Sequence, residues 1–70
     1  MMPLMFAEVG TPQIIKRIGG SPETKKHLED LGFHIGGEIR VVSTIGGNLI
    51  VNIKECRVAV SRELANKIMI

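Results

Sequence analysis

Few side chains in this sequence could do chemistry, and their spacing is the first question. His27, His34 and Cys56 are the only soft or borderline metal ligands apart from the methionines. The two histidines are separated by six residues, a spacing that matches no zinc pattern. Glu23 precedes His27 by one helical turn, so the two share a face if the segment is a helix. Such a pair would hold a surface ion only weakly. The plainer reading is a solvated His27 beside Lys26 and a loop His34. Cys56 is the sole cysteine, so no internal disulfide and no Cys-x-x-Cys site can form. A thiol in a tight turn with no evident base reads as inert. Glu29 and Asp30 are adjacent and point to different sides of a helix, so they do not converge as an acid–base pair. Met1, Met2, Met5 and Met69 lie at the termini, where packing explains them better than a Cu(I) site. Neither G-x-x-x-x-G-K-[ST] nor G-x-S-x-G occurs. Ser21 and Ser61 stand where helices would start and read as caps. The expectation is a protein without catalysis, cofactor or dedicated metal site.

Composition narrows the choice further. Seventy residues make at most one domain, covering 1–70. Hydrophobic residues make up 44%, enough for a small core and too many for a disordered tail. Ten Ile and six Val against five Leu favour pleated structure over helix. Phe6 and Phe33 are the only aromatic residues. Stacking platforms for single-stranded nucleic acid need more rings than that. The net charge is +2, but acidic and basic residues are interspersed and no basic run exceeds two residues. That is an ordinary surface rather than a phosphate-tracking stripe. The start, MMPLMFAEVG, lacks the basic segment of a secretory signal. The longest uncharged stretch, Val41 to Ile53, is 13 residues, and a spanning helix needs about 20. The cytoplasm is the default expectation.

Glycines must set the elements that carry these residues. Three Gly-Gly pairs, at 19–20, 36–37 and 46–47, mark turns and cut the chain into strand-length pieces. Ile14, Ile15 and Ile18 do not alternate cleanly, which predicts a strand with a bulge. Ser21 as N-cap, Pro22 at the first helical position and Gly32 as stop predict a helix over about 22–31. Leu28 and Leu31 fall on its inner face with Thr24. Glu38 to Ile45 reads as a strand with Ile39, Val41 and Ile45 on one face. Gly46-Gly47-Asn48 turns it back, and Leu49, Val51 and Ile53 alternate along the return. Lys54-Glu55-Cys56 is the next turn, with Val58 and Val60 the inner face of another strand. Ser61 caps a short helix over about 62–67, and Ile68 to Ile70 is a last strand. About five short strands and two helices in so short a chain predict an all-β, partly open small barrel.

In that order and spacing the pieces resemble the FeoA family, the small companion of the bacterial ferrous-iron transporter FeoB. The resemblance runs from about Gly10 to Ile70. It rests on Gly10 with Ile15 and Ile18, Leu28, Leu31-Gly32-Phe33 and Gly36, then Glu38-Ile39-Arg40-Val41-Val42. It continues through Gly46-Gly47, Leu49, Val51 and Ile53 to Arg57-Val58-Ala59-Val60, Ala65, Ile68 and Ile70. The resemblance implies an SH3-like barrel, the fold also found as the C-terminal domain of DtxR-type repressors. The helix-turn-helix of those repressors has no counterpart in this chain. The resemblance also implies a cytoplasmic accessory role in Fe(II) uptake through contact with the cytoplasmic part of FeoB. Two positions depart from the family pattern. Ile35 stands where Pro is frequent, and Glu55 where Gly is common, so the Glu55-Cys56 turn needs a geometry that spares Glu a positive φ.

Binding a macromolecule is thus the first functional expectation. Ile35, Val42 and Ile50 are apolar where alternation or loop placement predicts exposure, and one contiguous patch of them would mark a partner surface. The alternative is a domain that binds or senses Fe(II) or another divalent transition metal, using Glu23, His27, His34 or Cys56. A nucleic-acid-binding barrel is a third reading, disfavoured by the mixed charge.

Overall fold

Strands β1 (Gln13–Ile14) and β2 (Arg17–Ile18) lead to helix α1 (Pro22–Asp30). Then come β3 (Glu38–Ile45), β4 (Asn48–Ile53), β5 (Cys56–Val60), helix α2 (Arg62–Ala65) and β6 (Ile68–Met69). A single turn of 3-10 helix, Leu4–Phe6, precedes them. The structure is a computed structural model and describes residues 1–70. β1, β3, β4 and β5 form one antiparallel sheet in that order, and β2 pairs with β6 in a second. The expected single first strand is therefore two short pieces, one in each sheet. Ile15 and Lys16 link them, and the Lys16 N–H donates to the Met69 carbonyl at 2.8 Å. By splitting there, one chain segment joins both sheets of the partly open barrel.

Turn chemistry fixes the hairpins. The loop between β3 and β4 is Gly46-Gly47, with φ of +55° and +86°. Two positive φ values in a two-residue loop match the twist of the flanking strands, and only glycine adopts them without steric cost. The loop between β4 and β5 is Lys54-Glu55, closed by the Ile53–Cys56 pair. Its positive φ, +57°, falls on Lys54 and not on Glu55. The turn thus spares Glu55 a left-handed conformation.

β3 corrects one expectation. Ile39 and Val41 point inward as alternation predicts, but Ile45 is 63% exposed. The register shifts between Val41, which pairs with Val51, and Ser43, which pairs with Ile50. The extra residue is a β-bulge at Val42, and it reverses the alternation beyond it.

The core is 14 residues, all apolar, and no polar side chain is buried. It gathers Ile39 and Val41 from β3, Leu49, Val51 and Ile53 from β4, and Val60 from β5. Ile68 and Ile70 close it from the C-terminus, and Leu4 reaches it from the N-terminal turn. Helix α1 contributes Leu28. Its start is the expected one: Ser21 Oγ accepts from the Thr24 N–H at 3.2 Å, with Pro22 following. α2 repeats this device, with Ser61 Oγ accepting from the Leu64 N–H.

The end of α1 decides where the only buried ring goes. Gly32 has φ +108°. Its N–H donates to the Glu29 carbonyl at 2.9 Å, and the Phe33 N–H donates to the Leu28 carbonyl at 3.0 Å. This pair of bonds is a Schellman motif, whose usual apolar companion contact joins the residues at the positions of Leu28 and Phe33. Both are fully buried.

Two stability measurements check this reading by thermal unfolding followed by circular dichroism. Gly32→Ala has room for its methyl group, since the nearest heavy atom is 3.6 Å away, and loses only the left-handed conformation. It should cost about 1–2 kcal/mol. Each kcal/mol lowers Tm by roughly 4–8 °C in a domain of this size. Phe33→Ala should cost about 3–5 kcal/mol, a large part of the stability available to so small a fold.

Candidate functional site

The possible ligands do not converge. Glu23 and His27 are both exposed on α1, one in its first turn and one in its last. His34 is exposed in the loop before β3, where its carbonyl accepts from the Gly37 N–H at 2.9 Å. Cys56 is exposed at the start of β5, across from Ile53 on β4. No three His, Cys, Asp or Glu side chains come together in a group able to hold a metal ion.

The apolar candidates are arranged differently. The residues facing the core from β4 are Leu49, Val51 and Ile53, so Ile50 and Asn52 face outward. Ile50 lies between Ser43 and the bulged Val42 on β3 and Ala59 on β5. Val42, Ile50 and Ala59 therefore form a row across the outer face of three paired strands. At about 4.8 Å per strand spacing, the row spans on the order of 10 Å. Val42 and Ile50 are half-buried rather than open, because neighbouring rows flank them. Ile45 extends the apolar area toward the Gly46-Gly47 turn.

Ile35 is not part of this row. It is 68% exposed in the loop before β3. The loop is fastened to the residue after β1 by the Gly36 N–H donating to the Ile15 carbonyl (2.7 Å) and the Ile15 N–H donating to the Gly37 carbonyl (2.9 Å). Ile14, half-exposed and paired with Glu38, lies at the same end of the sheet.

A polar row separates the two apolar areas. Arg40 pairs with Asn52, and Asn52 pairs with Arg57. All three stand on the outer face. Pro12, Glu38, Arg40, Asn52 and Lys54 line a shallow polar depression there. Sequence reasoning missed this row because its members are far apart in the chain and come into line only through the strand register. The Val41-Val42 doublet was the one visible sign that alternation fails in β3.

The outer face thus offers an aliphatic strip beside two guanidinium groups and an ammonium group, with one carboxylate. Nothing in it resembles a catalytic constellation. It suits contact with a macromolecular surface that is partly apolar and partly acidic.

The FeoA domain family model matches residues 2–70. A protein of Methanocaldococcus jannaschii that carries the name Fe(2+) transport protein A is 34% identical over 70 residues, covering 100% of this chain and 85% of its own. A crystal structure described as iron uptake regulatory protein (FeoA) superimposes with a TM-score of 0.88 at 26% identity, covering 97% of this chain and 90% of the other. A zinc complex of FeoA from Stenotrophomonas maltophilia, described as an SH3 domain protein, superimposes with a TM-score of 0.82 at 24% identity. That likeness covers 99% of this chain and 88% of the other, and bears out the SH3-like barrel.

The inside–outside assignment of β4 is checked by two adjacent substitutions. Val51→Ala should cost about 1–3 kcal/mol through lost methyl burial. Ile50→Thr, on the outer face, should stay within about 1 kcal/mol of the parent. Urea unfolding monitored by circular dichroism measures both.

Proposed function

The chain belongs to the FeoA domain family, and from that premise we propose that it is a non-enzymatic accessory protein of Fe(II) uptake. It acts in the cytoplasm by binding the cytoplasmic part of a FeoB-type transporter and modulating it. Fe(II) is the transporter's cargo in this reading, and the chain keeps no dedicated metal site of its own. No helix here is long and apolar enough to cross a membrane, which suits a part that docks onto a membrane protein from one side.

The observation that carries the reading is the outer face of the β3–β4–β5 sheet. Its aliphatic strip of Val42, Ile50 and Ala59 lies directly beside Arg40, Asn52 and Arg57. An apolar centre with an ionic border is the ordinary anatomy of a protein contact. Rim charges of this kind set the encounter rate and its salt dependence more than they set affinity. Ile35 and Ile14 offer a second, separate apolar contact at the far end of the same sheet.

Titration of the isotope-labelled chain with the isolated cytoplasmic domain of its cognate FeoB tests this. Amide shifts should concentrate on β3, β4 and β5 around Val42 and Ile50. Ile50→Asp should weaken binding at least tenfold, about 1.4 kcal/mol, with an unchanged fold. Absence of any perturbation at about 1 mM partner would place the interaction above a Kd near 1 mM and end this proposal for that domain.

Metal binding has its own test. Calorimetric titration with Co(II) under anaerobic conditions should give no stoichiometric binding. His27→Ala and His34→Ala should leave the weak heat unchanged. A one-to-one isotherm abolished by either substitution would replace the accessory reading with a metal-sensing one.

A further inference from the structure

β5 is the one long strand of this fold with a side that no other strand pairs anywhere along its length. The C-terminal strand is covered within the chain. Pro3 bridges to Met69, the Met2 N–H donates to the Ile70 carbonyl, and the Ile70 N–H donates to the Met2 carbonyl. β1 is only two residues long. β5 runs five residues without proline, and its pairing with β4 is continuous. Short length, proline and bulges, which blunt many edges, are absent there, and the one charged side chain on the strand is Arg57.

Register shows which groups are free. Ile53 and Cys56 close a two-residue loop and so exchange hydrogen bonds with each other. Antiparallel pairs alternate, which makes Val51–Val58 and Leu49–Val60 the next bonded pairs. The N–H and C=O groups of Arg57 and Ala59 therefore point away from β4. Neither residue takes part in the backbone hydrogen bonds outside the regular elements. Both are exposed, and Val58 between them is only half-buried although it packs against the core.

We propose that β5 pairs with β5 of a second copy of this chain, antiparallel and about a two-fold axis through Val58. The symmetry chooses this register. It sets Arg57 of one copy opposite Ala59 of the other, so each pair exchanges two hydrogen bonds and every free edge group is satisfied. No charge stands directly opposite its own kind, which is the usual obstacle to self-pairing of a charged edge. Val58 meets Val58 of the second copy as a close, non-hydrogen-bonded β-branched pair, covering the half-open flank of the core. A two-fold axis through Arg57 would place Arg57 opposite itself, and one through Ala59 would set Arg57 opposite Ser61, beyond the end of the strand. The paired sheets make one continuous outer face on which the aliphatic row of each copy runs into the Arg57–Asn52–Arg40 row of the other. The pairing does not depend on the transporter reading.

The test uses the full chain. Sedimentation equilibrium should give twice 7.7 kDa at the upper end of a concentration series reaching the millimolar range. Amide hydrogen exchange at Arg57 and Ala59 should slow more than about tenfold between dilute and concentrated samples, while other exposed amides do not change. Ala59→Pro removes one of the outward donors at an edge position, where proline is tolerated. It should give a folded 7.7 kDa monomer at every concentration. If that variant fails to fold, the exchange measurement on the unaltered chain decides alone. A monomer at all concentrations overturns the proposal. So does a dimer that leaves the Arg57 and Ala59 amides in fast exchange, because it uses another surface. Protection of those two amides only on adding the transporter's cytoplasmic domain would assign the edge to that partner and likewise overturn self-pairing.

Discussion

Phe33 reaches the core only because the chain reverses at Gly32. The left-handed residue ends α1 and redirects the backbone, so that Phe33 joins Leu28 in the buried cluster. Much of the fold depends on that reversal. The chain leaves it along the His34–Gly37 loop, which is bonded to Ile15 on both sides and so places β3 beside β1. With no disulfide and no buried polar group, nothing else of comparable specificity ties the helix to the sheet. The core is held by aliphatic burial, which is strong but non-directional. Direction comes from a few turns.

The second constraint is parity. A strand in a small barrel must serve a curved sheet, and β3 does so by taking in one extra residue at Val42. The bulge increases the local twist and lets both hairpin arms keep their inner residues aligned. The same extra residue puts two consecutive β3 side chains against Ile50. The aliphatic strip on the outer face is thus a by-product of the device that bends the sheet. This is why its position can be read only from the pairing.

Much of this was legible from residue types. Ser21-Pro22 and Gly32 bounded α1 to within one residue, and Gly46-Gly47 gave the tight hairpin. Strict alternation in β4 placed Leu49, Val51 and Ile53 inside and Ile50 outside, as observed. The failures were local. Ile45 was expected inside, because a bulge built from Val and Ser leaves no glycine to announce it. The first strand was expected to be continuous, because an Ile-Ile doublet does not reveal that its two halves serve different sheets. The start of β5 was set late, since the turn is Lys54-Glu55 and Cys56 already pairs. Of the three apolar candidates, register joined Val42 and Ile50 and left Ile35 apart. The Arg40–Asn52–Arg57 row was invisible for the same reason, since cross-strand neighbours are not sequence neighbours.

The lone interior ring has an optical and magnetic consequence. The chain has no Tyr or Trp, so it absorbs almost nothing near 280 nm and has no bright intrinsic fluorescence. Phe6 is 68% exposed and Phe33 fully buried, so only one ring sits in a fixed asymmetric setting. Its ring current falls on a core made entirely of Ile, Leu, Val and Ala methyl groups. A few methyl resonances displaced upfield will therefore report the state of the whole interior, and their collapse into the envelope will mark its loss.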